Sequence, residues 1–93
     1  MEKEIVWTIT AQKDFWEIVA YLNESWPIEV FEKFHSLLNS KTQLLTKQPT
    51  IGFKSSKYSR FRKTHITSHY MLINSIVKHH IVIHRLKHTA MKK

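Results

Sequence analysis

The first half of the chain changes its hydrophobic period once. Residues 4–9 place three large apolar side chains on one side of an extended segment rich in β-branched and aromatic types, which predicts an opening strand. From residue 11 the apolar positions recur at steps of three and four, which predicts an α-helix over 11–24 with Thr10 as its N-cap. The chain is therefore expected to pass from a strand directly into a helix.

A proline divides the helical part of the sequence. Pro27 suits the first turn of a helix but not its interior, which predicts a second helix over 27–46 and an antiparallel helical hairpin. Three aromatic residues, Phe15, Trp16 and Trp26, are expected to pack within this hairpin. The side chains expected to face inward from the second helix are Val30, Phe34, Leu37, Leu38, Leu44 and Leu45.

The second half of the chain is typical of strands. A proline and the only glycine end the helical half within residues 49–52. Three β-rich stretches follow at 58–66, 69–77 and 80–86, and their short links predict successive antiparallel hairpins, with Tyr70 in the core. The element order β-α-α-β-β-β predicts an α+β fold in which a helical hairpin packs on an antiparallel sheet.

Length and composition limit the class of protein. A chain of 93 residues with 42% apolar residues supports one hydrophobic core, so we expect a single domain over 1–93. No apolar run approaches the roughly 20 residues of a membrane-crossing helix. The N-terminus lacks the pattern of a signal peptide and the chain has no cysteine. These features predict a cytoplasmic protein without a membrane span.

Charge is divided unequally between the two halves. Residues 1–32 contain all seven acids and two lysines, a net charge of −5, whereas residues 33–93 contain thirteen Lys and Arg and no carboxylate. The second half cannot neutralise its own cations through internal salt bridges. Its field is therefore expected to act on an acidic partner protein or on phosphate.

A series of short motifs then occurs in a particular order along nearly the whole chain. They are Val6-Trp7, Thr10-Ala11, residues 18–22, Ser25-Trp26, Phe34, residues 49–55, Arg62-Lys63, Ile66-Thr67, His69 and residues 87–89. In this order and spacing the chain resembles the RelE/ParE superfamily of toxins from bacterial type II toxin–antitoxin pairs, once described as plasmid stabilisation proteins.

The resemblance implies a helical hairpin on a twisted antiparallel sheet, with a basic face that a cognate antitoxin covers in a toxin–antitoxin hetero-oligomer. It leaves the target open. RelE-like members are ribosome-dependent mRNA endonucleases, or mRNA interferases, whereas ParE-like members inhibit DNA gyrase and lack the nuclease residues. A degenerate, non-toxic copy that acts only as a binding module is a third alternative.

RNA cleavage without a metal requires a base, an acid and cations around the phosphate, so histidines and basic residues are the candidates. If the chain is an enzyme, it is expected to be a metal-independent endoribonuclease without a cofactor. The candidate catalytic residues are Arg62, His65, His69, Arg85 and His88, with His84 as a further candidate base. The residues expected to bind the target or a nucleic acid are Lys54, Lys57, Arg60, Arg62, Lys63 and Lys87.

Several positions depart from the pattern that the resemblance implies for a nuclease. No Asp or Glu follows Glu32, and no tyrosine follows Tyr70. Met71 and Ala90 stand where an arginine is expected in nuclease relatives. These departures weigh against RNA cleavage but leave it open beside gyrase inhibition.

A metal site would be the competing use of the histidines. His80, His84 and His88 repeat every four residues, which would bring them together on a helix. The surrounding apolar residues indicate a strand, along which four residues span roughly 13 Å. We therefore predict no metal site.

Overall fold

The computed structural model describes residues 2–55, 57 and 60–89, which form two helices and five strands. In chain order these are β1 (Glu4–Trp7), α1 (Ile9–Ser25), α2 (Ile28–Lys47), β2 (Phe53–Lys54), β3 (Arg62–His65), β4 (Tyr70–Val77) and β5 (His80–His88). The strands form one sheet in the order β1-β5-β4-β3-β2, and the two helices pack on it. The predicted α+β fold is confirmed.

The sheet differs in one respect from the antiparallel sheet that the sequence predicts. Strands β2 to β5 pair antiparallel, whereas β1 pairs in parallel with β5, so the sheet is mixed. A parallel pair needs a long crossover, which here includes both helices and the other three strands. The two-residue strand β2 was not predicted, and it adds an edge beside β3.

The start of α1 also differs from its prediction. The N-cap is Thr8, not Thr10, because the Thr8 hydroxyl accepts a hydrogen bond of 3.0 Å from the N–H of Ala11. Ile9 therefore lies in the helix and is 73% exposed instead of ending the strand. The second helix begins and ends within one residue of its prediction. Of the strand predicted over 58–66, Tyr58 lies outside the described residues, and the observed strand β3 begins at Arg62.

The hydrophobic core lies between the helices and the inner face of the sheet. Tyr70 is buried, as predicted, and its ring meets Phe34 at 5.2 Å between centroids. The stripe of α2 that faces the sheet runs at steps of four and seven residues. The core residues are Ala11, Ile18, Leu22, Phe34, Leu38, Leu45, Ile66, Tyr70, Leu72, Ile81, Ile83 and Leu86.

Four residues predicted to pack inside the helical layer are instead exposed. Trp16 and Trp26 are 65% and 51% exposed, and Val30 and Leu44 are each 37% exposed. Val30 and Leu44 fall at the flanks of the α2 stripe, because one stripe of a helix cannot include every apolar position. Phe15 is partly buried against the core, as predicted.

One buried carboxylate joins the helical layer to the edge of the sheet. Asp14 on α1 accepts hydrogen bonds from Arg85 Nε at 2.7 Å, from Arg85 Nη2 at 3.2 Å and from the Leu86 N–H at 3.0 Å. The pairing of β1 with β5 ends at Trp7 and Ile83, so Leu86 lies beyond the end of β1. The Asp14 side chain thus supplies to the Leu86 N–H the hydrogen-bond acceptor that the backbone of a longer β1 would have provided.

We predict that Asp14→Asn lowers the free energy of unfolding by about 1–3 kcal/mol, since a charged acceptor of buried hydrogen bonds is lost. The measurement is urea unfolding followed by circular dichroism. Glu32→Gln is the matched control, because it makes the same chemical change at an exposed site on α2, and it should change stability by less than about 0.5 kcal/mol. Equal effects of the two substitutions would contradict this role of Asp14.

Candidate target-binding face

The sheet has a second face, turned away from the helices. In an antiparallel sheet, residues directly opposite each other point to the same side. Thr64, Leu72 and Leu86 are in register and buried toward the helices, so the alternate positions must face the other way. We define these alternate positions as the outer face. They form two rows across β3, β4 and β5: Lys63, Ile73 and Arg85 in one, and His65, Met71 and Lys87 in the other.

A β-bulge in β5 adds His84 to this face. The register shifts between Ile73 and Asn74, whose partners are Arg85 and Ile83, so His84 has no partner on β4. Its Nε2 lies 2.7 Å from the Ser75 hydroxyl, within hydrogen-bonding distance. The bulge thereby turns His84 toward Ser75.

Two residues outside the strands complete the surroundings of His84. The Phe61 ring lies 4.9 Å from the imidazole between centroids. The guanidinium carbon of Arg60 lies 5.2 Å from the centroid of the Phe61 ring, in a cation–π contact. Burial lowers the pKa of His84 below its ordinary value, and the positive charge of Arg60 lowers it further. His84 is therefore neutral at neutral pH, and a neutral imidazole can accept a proton.

Arg62, a predicted catalytic and binding residue, has a different environment. Its Nη2 donates to the carbonyls of Thr50 and Gly52, each at 2.9 Å. In the sheet it lies opposite Asn74, which is fully buried on the inner face. The guanidinium therefore holds the segment that leads into β2, and it lies with the inner face of the sheet.

Arg85 is also engaged inside the molecule. Its ion pair with Asp14 raises the pKa of the guanidinium, chiefly through the hydrogen bond between the two side chains. The Arg85 side chain is 45% exposed, but the Nε and Nη2 groups of its guanidinium donate to the Asp14 carboxylate. A phosphate bound at this position would need the positive charge of Arg85, which the Asp14 carboxylate already balances.

The three remaining histidines among the predicted catalytic residues lie in two places. His69 and His88 stack with 6.0 Å between ring centroids, and His88 lies 5.1 Å from the ring of Tyr70. His65 is exposed at the end of β3, where its ring lies 6.2 Å from that of Phe53. The predicted catalytic set is thus divided between His65 and Arg85 in the rows of the outer face, Arg62 on the inner face, and the site of His69 and His88.

The other predicted binding residues lie on β2, on the outer face and in the segment between β2 and β3, and Lys54 is in register with Arg62 of the inner face. Lys54 is exposed on β2, and Lys57 and Arg60 are exposed in the segment between β2 and β3. Lys63 and Lys87 belong to the outer face, one in each row. The roles of all these residues remain predictions.

His69 and His88 border an open groove of about 880 Å³ beside the helical hairpin. The groove runs between both helices and the turn that joins β3 to β4. Its other main lining residues include Tyr21, Trp26, Val30 and Tyr70. The exposed Trp26, which was predicted to pack inside the hairpin, forms part of this groove.

The structure places the three regularly spaced histidines along β5, as the strand interpretation predicts. His80 lies 3.5 Å from the Glu4 carboxylate, His84 meets Ser75, and His88 stacks on His69. Within the described ranges, no three metal-ligating side chains come together in one cluster. Neither α1 nor α2 has the length and apolar character needed to cross a membrane.

Sequence reasoning missed Ser75 and Phe61 as part of the site and named His84 only as one of several bases. The signal for this cluster is the β-bulge, which depends on the register of two strands and has no marker such as glycine in β5. The cluster could therefore be recognised only once the pairing of β4 and β5 was known.

Comparison with known proteins agrees with this fold. Residues 5–93 match the family of the ParE toxin of type II toxin–antitoxin systems, parDE. Because the match covers almost the whole sequence, the chain belongs to the ParE toxin family. It is a toxin of a type II toxin–antitoxin system, as the sequence resemblance predicted. Among curated proteins, none matches the chain at a significant level.

Solved structures share the fold at low sequence identity. The toxin–antitoxin complex RelBE2 of Mycobacterium tuberculosis has 16% identity and a TM-score of 0.66, with coverage of 95% of this chain and 99% of that one. A copper-bound mutant toxin from Helicobacter pylori has 19% identity and a TM-score of 0.69, with coverage of 95% and 96%. The Escherichia coli DinJ–YafQ complex has 13% identity and a TM-score of 0.62, with coverage of 97% and 96%.

We predict that His84 titrates below about 6.5, the ordinary value for histidine. NMR titration of the imidazole signals measures this pKa, and Arg60→Gln should raise it because a nearby positive charge is removed. Since the unfolded chain then binds this proton more readily than the folded one, stability should rise with pH between the folded and unfolded pKa values.

Lys54→Gln removes an equal charge from a lysine of β2 and serves as the control for this titration. If His84 titrates at or above the ordinary value, or if both substitutions shift it equally, the described environment of His84 is wrong.

Proposed function

We propose that this toxin acts by binding, with the lysines of its outer face engaging an anionic surface of a protein target. The observation that supports this proposal is the division of charge on the sheet. Arg62 and Arg85 are held by groups of the toxin itself, whereas the described residues provide no ion pair for Lys63 or Lys87. These lysines are available to an acidic partner.

The middle of the outer face favours a protein over a phosphate backbone. Met71 and Ile73 lie between the basic residues of the two rows, and both are partly exposed. Apolar side chains surrounded by charged ones are typical of protein interfaces. A phosphate bound here would meet a thioether and an alkyl chain at the centre of the face. DNA gyrase, the target implied by the resemblance to ParE-like toxins, is the target that we propose.

We further propose that a cognate antitoxin neutralises the toxin by covering the outer face with an acidic segment. The Mycobacterium tuberculosis and Escherichia coli relatives were solved as toxin–antitoxin complexes, which supports a partner of this kind. The charge of +8 and the lack of any acid after Glu32 favour an acidic segment at this surface. Toxin and antitoxin would then form a hetero-oligomer.

We predict that the double substitution Lys63→Gln/Lys87→Gln weakens binding to purified gyrase at least about tenfold and relieves growth arrest, since two interfacial charges are lost. The matched control is Lys13→Gln/Lys41→Gln, which removes the same charge from the helices. Inducible expression followed by assays of DNA breaks and of translation identifies the target. Growth arrest with intact DNA would contradict gyrase as the target.

A second candidate function, RNA cleavage, is favoured by one specific observation. His84 is neutral, hydrogen-bonded to Ser75 and close to the cation Arg60, so the cluster offers a base and a cation, two of the groups that a metal-independent nuclease uses. In that case His84 would take the proton from a ribose 2′-hydroxyl, the 2′-oxygen would form a bond to phosphorus as the bond from phosphorus to the 5′-oxygen breaks, and the leaving 5′-oxygen would take a proton from solvent water.

We predict that the toxin does not cleave messenger RNA on the ribosome. Purified toxin is added to translating ribosomes, and cuts within codons are mapped on the message. The expected result is an uncut message with wild-type toxin. Codon-specific cuts that His84→Gln abolishes, while its circular dichroism spectrum stays unchanged, would establish the nuclease instead.

A further inference from the structure

A group of buried polar side chains lies on the inner face of the sheet, between β3 and β4. Arg62 stands directly opposite Asn74 in the register, and Thr64 is the next residue of β3 on the same face. Asn74 is fully buried, and Thr64 is 6% exposed. Cross-strand neighbours on one face have side chains within about 5–8 Å of each other. The three side chains therefore share one small region.

Four polar atoms of this region lack a hydrogen-bond partner among the described residues. They are Arg62 Nε, Thr64 Oγ1, and both Asn74 Nδ2 and Asn74 Oδ1. Almost all buried polar atoms in folded proteins are paired with protein or with an internal water. A fully buried asparagine with neither end of its amide paired is a strong indication that a further molecule binds at this point.

The chemistry of the four atoms selects the ligand. Arg62 Nε and Asn74 Nδ2 can only donate, Asn74 Oδ1 can only accept, and the Thr64 hydroxyl can do either. An anion would satisfy the donors but not Asn74 Oδ1. A metal cation would be repelled by the Arg62 guanidinium. Water accepts and donates, so it can satisfy every member of the group.

We propose that Arg62, Thr64 and Asn74 bind an internal water that joins β3 and β4 to the segment leading into β2. The water accepts from Arg62 Nε and Asn74 Nδ2 and donates to Asn74 Oδ1 and Thr64 Oγ1. The inference does not rest on the proposed target.

The segment before β2 lies directly against this site. The other end of the Arg62 guanidinium holds the carbonyls of Thr50 and Gly52. A Cβ on Gly52 would lie 2.5 Å from both Thr64 Oγ1 and the Lys63 carbonyl oxygen, so only glycine fits against β3 here. The hydrated group thus fixes the approach of the chain to Phe53 and Lys54. Arg62 is therefore a positioning residue for the edge strand β2.

The first experiment is a crystal structure of the wild-type toxin at a resolution that shows ordered water. The expected result is one water within about 3 Å of Asn74 Oδ1 and of at least one of the two donor nitrogens. The inference is overturned if the region is dry, or if Asn74 Oδ1 accepts directly from Arg62 Nε and leaves no room for water.

The second experiment measures amide hydrogen exchange at Ser55, whose N–H donates to the Phe61 carbonyl at 2.8 Å between the end of β2 and the start of β3. In Asn74→Leu, which removes the polar amide at similar volume, exchange at Ser55 should be about tenfold faster because the water is lost. Thr64→Val, which keeps the shape of threonine, provides a second variant in case Asn74→Leu does not fold.

Ser75→Ala is the matched control, because Ser75 is the next residue of β4 and its hydroxyl meets His84 on the outer face. It should leave exchange at Ser55 unchanged. Unchanged exchange in both inner-face variants, or an equal increase in the control, would show that no bound water positions β2.

Discussion

The structure depends above all on the confinement of every carboxylate to the first 32 residues. The sheet strands that follow carry the positive charge and have no acid of their own, so balance within the molecule must come from the helices or from β1. Asp14 provides it for Arg85 and also accepts from the Leu86 N–H, and Glu4 lies beside His80. The Asp14 contact holds α1 against β5, and it engages the Arg85 guanidinium so that this charge is not available on the outer face.

The cations of the toxin thus serve two different purposes. Arg62 and Arg85 use the fixed geometry of the guanidinium to hold protein groups, a main-chain segment in one case and a helix in the other. Lys63 and Lys87 stand in the two rows of the outer face with Ile73 and Met71 between them. Such a division suits the proposed function, in which Lys63 and Lys87 bind the partner while Arg62 and Arg85 hold parts of the fold together.

Most of the fold could be predicted from local patterns, and most of the site could not. Helix boundaries follow from periodicity and from Pro27, although the cap moved to Thr8 because its hydroxyl also donates to carbonyls of β5. The parallel pairing of β1 and the bulge at His84 are long-range features that no local pattern encodes. Arg62 and Arg85 became catalytic candidates on residue type alone. Their hydrogen-bond partners, in residues 50–52 and in α1, are distant in sequence and could not be predicted from local patterns.

The most direct test of this division of charge is the rate at which each arginine Nε–H exchanges with solvent, measured by NMR. Hydrogen bonding to Asp14 and burial within the sheet should slow exchange at Arg85 and Arg62 at least about tenfold relative to Arg60, which is exposed over the Phe61 ring. Equal and rapid exchange at all three arginines would mean that none is held by the protein, and the account given for the sheet would be wrong.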